Sequence, residues 1–239
     1  CATPLLSSQA FASSREILSD EFVSFGGSVM QGLTDARRTQ INVVSPPARS
    51  WTYRAYDAIN NNDLTIENFQ SRNFPGQNSQ VDRMEFHGLE LGRQYVFEVK
   101  NAEGKVIDER NFKSLDLDKK ALKFAVASCM SDMFSNVQGE MWDALVKTRP
   151  EMLFLIGDLC YTDTFSKTDE AQLWRRFAQS RNQFAVYKMK NLIPTLATWD
   201  DHDFGGNNLG REYQFIESST TNFMTYVAQD VWQNGPLSR

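Results

Sequence analysis

The chain has 239 residues, 41% apolar and 12% aromatic, enough for one large or two ordinary domains with packed cores. Its net charge of −5 is spread along the sequence, which argues against a nucleic-acid-binding face and leaves room for a bound cation. No run approaches the roughly 20 apolar residues of a membrane helix, and neither an internal repeat nor a low-complexity tract is present.

The sequence starts at Cys1, followed by small and polar residues. This start resembles a mature bacterial lipoprotein. The resemblance implies a lipid anchor on Cys1, a flexible tether over 1–16, and a place in the cell envelope, as an outer-membrane lipoprotein or in the periplasm. Ala2, rather than Asp, favours the outer membrane by the sorting rule of such proteins. A chain boundary that happens to fall at Cys is the alternative. Cys129 and Cys160 each lie beside a candidate metal motif, so they are not read as a disulfide framework.

From Glu21 the pattern turns to short strands: 21–30 with a Gly26-Gly27 break, then 40–44, 50–56, 84–89, 94–100 and 106–113. Pro46-Pro47, Asn60 to Asp63, Pro75-Gly76 and Asn101 to Gly104 are the turn signals between them. Six or seven short strands in this span predict an antiparallel β-sandwich over 17–117. The stretch Leu89-Glu90-Leu91-Gly92-Arg93-Gln94-Tyr95-Val96-Phe97-Glu98-Val99 resembles a signature of fibronectin type III domains, with Leu91 where Pro is usual. That resemblance implies a corner anchored by the Tyr95 hydroxyl on nearby backbone. His87, alone in a strand, is read as structural.

After the polar linker Leu117-Asp118-Lys119-Lys120, strands and helices alternate. Residues 122–128, 152–156 and 192–198 are apolar strands; 136–147 and 169–187 carry apolar residues at helical spacing. This βαβαβ order predicts a mainly parallel sheet, so the overall class is α+β with two domains, the second over 118–239. In such sheets sites gather beyond the carboxyl ends of the strands.

Polar clusters follow each of these strands: Ser128-Cys129-Met130-Ser131-Asp132, then Gly157-Asp158-Leu159-Cys160-Tyr161-Thr162-Asp163, then Trp199-Asp200-Asp201-His202-Asp203-Phe204-Gly205-Gly206-Asn207. A Gly-Asp after a strand is a common turn, and a lone Cys is more often a small buried hydrophobe. Three such clusters on successive strand ends are another matter. They bring thiol, carboxylate, phenol and imidazole to one edge, and close carboxylates repel unless a cation sits among them.

Val126-Ala127-Ser128-Cys129, Gly157 to Asp163 and Ala197-Thr198-Trp199 through Asn207 resemble the PhoD-like alkaline phosphatase/phosphodiesterase family of metallophosphoesterases, which also carries an N-terminal β-sandwich. The resemblance runs from about Glu21 to the C-terminus. It implies an α/β metallophosphoesterase domain holding ferric iron and calcium. Cys129 and Tyr161 would bind the iron, Asp158 would bridge to calcium, and Asp200 and Asn207 would be further metal residues. Asp201 and His202 would be catalytic residues, and a metal-bound hydroxide would attack the phosphoester in line, with His202 bonding phosphate or protonating the leaving alkoxide. The implied cargo is a phosphomonoester or phosphodiester substrate. Arg175, Arg176 and Arg181 are candidates for clamping its phosphate, with Arg175 first; a solvated helix face is the alternative for each.

The family's catalytic domain continues beyond the third motif and supplies further His and Asp ligands. Here Leu209 to Arg239 follow, with Phe215, Phe223, Met224, Tyr226, Val227 and Trp232 reading as one or two helices, and the sequence has two His residues. The expectation is therefore the N-terminal half of the domain, completed by more chain or by a second polypeptide. A non-catalytic surface lipoprotein, using a phosphatase-like half-fold as a binding or assembly module, is the competing reading. A carbohydrate or peptide binder acting through aromatics such as Trp51 and Tyr53 is the third.

Overall fold

A computed structural model of the chain describes residues 21–23, 25–47, 49–163 and 169–229. Cys1, the tether over 1–16 and Trp232 lie outside the described residues. No described helix is long and apolar enough to cross a membrane.

The first seven strands are β1 (Ser28–Thr34), β2 (Arg38–Ser45), β3 (Thr52–Asp57), β4 (Thr65–Asn73), β5 (Gln80–His87), β6 (Gln94–Lys100) and β7 (Val106–Lys113). They form two antiparallel sheets, one in the order β1-β2-β5-β4 and the other β3-β6-β7. Four strands facing three in this order is the arrangement of constant-type immunoglobulin domains. Ile41, Val43, Met84 and Phe86 of the first sheet meet Ala55, Phe97 and Val99 of the second, all fully buried or nearly so. Burying each such side chain contributes about 1.5–3 kcal/mol, with Ala55 worth less. The corner expected at Tyr95 is present: its hydroxyl accepts the Glu90 N–H at 2.7 Å. Gly92, at φ +63°, takes the left-handed turn between them.

Two strand expectations need correction. Strand β1 begins at Ser28, not Glu21. A Cβ at Gly27 would meet the Val44 carbonyl oxygen at 2.5 Å, so the glycine marks where the strand enters the sheet. The residues before it run beside the second half of the chain instead, with Val23 N–H on Lys188 O at 2.9 Å and Lys190 N–H on Glu21 O at 2.7 Å. Strand β4 lies in a span for which the pattern predicts no strand. It is an edge strand, almost wholly exposed, so no apolar alternation marks it.

The sandwich is not a free-standing bead. Strands β1, β2 and β5 are buried on both faces. On the outer face Met30, Val44 and Val81 pack with Trp174, Phe177 and Tyr226 of the second half. Polar residues of the same face bond across: Asn42 Nδ2 donates to Tyr226 O at 2.9 Å, Arg83 to Val227 O at 2.6 Å, and Ser79 Oγ accepts Trp174 Nε1–H at 2.7 Å.

The second half comprises β8 (Phe124–Ala127), α1 (Ser135–Lys147), β9 (Met152–Ile156), α2 (Glu170–Gln183), β10 (Thr195–Thr198), α3 (Asp201–Phe204) and α4 (Ile216–Tyr226). The strands pair in parallel in the order β10-β9-β8. Asp169 caps α2, accepting the Gln172 N–H at 2.7 Å. The helix ends at Gln183 rather than Tyr187. Phe184, Ala185, Val186 and Tyr187 are all buried, which one helical stripe cannot achieve, and a single 3₁₀ turn delivers them. One sheet face, with Leu153 and Leu155, is covered. The opposite face leaves Phe124 57%, Val126 50% and Ile156 53% exposed, although parallel sheets are ordinarily covered on both sides.

Candidate metal centre

All three polar clusters follow the carboxyl ends of β8, β9 and β10. The backbone there is specialised. Cys129 and Asp158 sit at φ +57° and +53°, and Gly157 between strand and loop at +97°. A Cβ on Gly157 would lie 2.7 Å from that of Asp200, so only glycine lets the second and third clusters approach this closely. The loops are also stitched together. Met130 N–H donates to Asp158 O at 2.8 Å, and Thr162 Oγ1 donates to His202 O at 2.7 Å. The buried Asp203 carboxylate accepts Cys160 N–H at 2.8 Å and Asp200 N–H at 3.0 Å, joining the second cluster to the third.

Inside this frame Asp158, Asp201 and His202 each present a ligand atom, all within 4.8 Å of one another. The Tyr161 hydroxyl donates to Asp158 Oδ2 at 3.2 Å and is also hydrogen-bonded to the Cys129 thiol. Its ring lies 4.2 Å from that of His202, tilted by 30°. The other Asp158 oxygen, Oδ1, is buried and has no hydrogen-bond partner among the described residues. A buried carboxylate oxygen left unpaired is expensive, and a cation is what such a donor set satisfies.

The titration behaviour points the same way. Burial, then the neighbouring Asp158 and Cys129, push the Tyr161 phenol well above its ordinary range. Burial disfavours the His202 imidazolium, but the hydrogen bond to Asp163 and the charges of Asp163, Asp158 and Asp201 outweigh it and raise its pKa. Burial pushes Asp203 up to about 7 against its two backbone donors. Asp158, Asp163 and Asp201 crowd around His202, and a bound cation would push these pKa values back down.

Of the residues expected in the site, Cys129, Asp158, Tyr161, Asp201 and His202 come together. Asp200 does not join them. It is the N-cap of α3, its carboxylate accepting the Asp201 N–H at 2.9 Å within a capping box. Asn207 approaches through its backbone, donating to Asp163 Oδ2 at 3.0 Å. Arg175 bonds Gln172 on its own helix. Arg176 and Arg181 are neither phosphate clamps nor a solvated face, because both are buried. Arg176 holds Asp132 at 2.7 Å and the Tyr161 carbonyl at 3.0 Å; Arg181 bonds Asn42 Oδ1 at 3.0 Å and stacks over Tyr187. His87 sits on β5 between Glu85 and Glu67, in keeping with a structural role.

Asp163 has a role the sequence reading did not assign. Its Oδ1 bonds His202 Nδ1 at 2.9 Å. Its signal in the sequence was only its place at the end of the second cluster. Asp203 and Asp132 hold the loops and were equally unassigned.

No protein-family model matches the chain, and no curated protein matches it. Among solved structures, it is similar to the sensor domain of the anti-sigma factor RsgI4 of Pseudobacteroides cellulosolvens. The two are 14% identical over 40% of this chain and 100% of that one, with a TM-score of 0.29. A pullulanase from Anoxybacillus sp. LM18-11 is 19% identical over 39% of this chain and 13% of that one, TM-score 0.24. The N-terminal Ig1-2 module of the Drosophila receptor protein tyrosine phosphatase DLAR is 10% identical over 44% and 61%, TM-score 0.25.

Proposed function

We propose that the three clusters form the metal centre of a phosphoester hydrolase of the PhoD-like type. The observation that carries this reading is Asp158 Oδ1, buried and unpartnered beside Asp201 and His202. The Asp158 and Asp201 carboxylates would hold the metal, with the Tyr161 phenol and Cys129 thiol as anionic donors suited to ferric iron, and calcium taking oxygens. Bound metal supplies Lewis-acid polarisation of the phosphate and a nucleophile at neutral pH.

The chain's own residues do the rest. Asp163 engages Nδ1 of His202 and sets the ring, leaving Nε2 for the substrate. With Nδ1 held by Asp163, Nε2 is the nitrogen placed to donate to the departing alkoxide oxygen. The Arg176–Asp132 pair keeps the first and second loops in register.

The test is metal analysis with a visible spectrum, paired with turnover of p-nitrophenyl phosphate and its bis ester. Iron and calcium with a thiolate or phenolate charge-transfer band, both lost in Cys129→Ala and Asp158→Ala, are expected. Full iron and full turnover in either variant would sink the assignment.

A second reading has its own observation. The uncovered face with Phe124, Val126 and Ile156 favours a half-fold that docks another polypeptide, as an assembly module or to complete the catalytic domain. Colourless, metal-free protein would select the non-catalytic module. The lipid anchor on Cys1, and with it the cell-envelope location, belongs to the same proposal; mass spectrometry of the N-terminal peptide tests it.

A further inference from the structure

At the opposite edge of the parallel sheet, where the strands begin, a cavity of about 610 Å³ lies between the sandwich and the α/β unit. That volume falls within the range of small-molecule sites, and domain junctions are where such sites concentrate. Its walls mix apolar residues, among them Leu115, Leu117, Leu122 and Met152, with charged ones. The linker that borders it holds Leu117 and Leu122 out in solvent, 66% and 50% exposed.

The charged groups around the cavity are unevenly committed. Lys119 is paired with Glu151, Asp116 accepts the Asp118 N–H, and Glu21 accepts from Asn191. Lys113 feels the Glu151 carboxylate only at a distance. No described residue accepts a hydrogen bond from the Arg149 guanidinium.

Arg149 is also conformationally unusual. It follows α1 at φ +52°, its N–H on Val146 O at 2.8 Å, in the left-handed position that ends a helix and that glycine fills best. An arginine there is strained backbone beside the cavity, with its charge directed at nothing the fold requires.

We propose that this junction cavity binds an amphipathic anion, an apolar chain with one carboxylate, its body against Leu117, Leu122 and Met152 and its head on Arg149 and Lys113. The site is separate from the metal centre and does not depend on the phosphoesterase reading.

The test is isothermal titration of the full chain with sodium decanoate and, as neutral control, 1-decanol. Saturable binding of one decanoate, at least tenfold tighter than decanol, is expected. Arg149→Gln should weaken decanoate about tenfold, the loss of one charge-assisted contact. Arg149→Gly separates ligand from structure: it should raise the melting temperature by relieving the left-handed strain and still lose decanoate affinity. Decanoate that fails to saturate, binds no better than decanol, or binds Arg149→Gln and Arg149→Gly as well as the parent would overturn the proposal. Binding that is lost only in Phe124→Ser or Val126→Ser would place the ligand on the uncovered sheet face and overturn it too.

Discussion

Replacing Asp158 by Asn separates the folded frame from the metal it is built to hold. In the metal-free protein Asp158 is a buried carboxylate with one oxygen satisfied by Tyr161 at 3.2 Å and the other unpartnered. Asp201 is close by, and the buried Asp203 feels the charge of Asp158. An unsatisfied buried polar atom costs about 1–3 kcal/mol, more when charged. Asparagine keeps the shape, can still accept from Tyr161, and puts a neutral amide N–H₂ in place of the unpartnered charged oxygen, so the gain is the cost of the buried charge. Metal-free Asp158→Asn should therefore be more stable than the parent by about 1–3 kcal/mol. For a chain of this size that is a rise of roughly 2–12 °C in melting temperature. With metal added the order should reverse, because a ligand that binds only the folded parent stabilises it by an amount that grows with the logarithm of its concentration over its dissociation constant. The assay is urea unfolding of chelator-treated protein, repeated with iron and calcium. A variant less stable than the parent without metal, or stabilised by metal as much as the parent, would refute the reasoning.

Three further outcomes follow from the packing and the charges. Gly32→Ala should destabilise by about 2–4 kcal/mol, since its Cβ would lie 1.4 Å from the Ala228 carbonyl oxygen and would push away the acceptor of the Leu33 N–H; two separate unfolding transitions in place of one would show the sandwich and α/β unit coming apart. Tyr95→Phe removes the acceptor of the Glu90 N–H and should cost about 1–3 kcal/mol in urea unfolding while leaving metal content unchanged. Asp203 holds its proton more tightly when folded, to about pH 7, than its ordinary value of 3.8 allows when unfolded. Its contribution is therefore most favourable at the acid end, and stability falls as pH rises from about 4 to about 7. Asp203→Asn in metal-free protein should flatten that slope, measured as the urea midpoint against pH.

Much of the architecture is legible in the order of residues because periodicity and turn chemistry are local. Strands β6, β7 and β9 occupy the spans their apolar patterns predict, and Tyr95 makes its corner from a signature a few residues long. The three polar clusters announce a site because βαβ order alone brings successive strand ends to one edge. What the sequence could not carry is anything that depends on which surface meets which. Strand β4 has no apolar alternation because it buries neither face. Polar residues such as Asn42 and Arg83 look like the solvent side of an antiparallel sheet, yet they are buried and bonded to the end of α4, because a second half of the chain covers that face. Asp200 and Asp201 are adjacent identical side chains in sequence. Only the entry of α3 makes one a helix cap and sends the other towards Asp158. Asp163 and His202 stand far apart in the chain, and their pairing at 2.9 Å exists only once β9 and β10 lie side by side. The donor types were thus determined by sequence. Their division into ligands, caps and positioning groups was decided by tertiary structure, because hydrogen bonding at a buried site depends on distance and direction across strands.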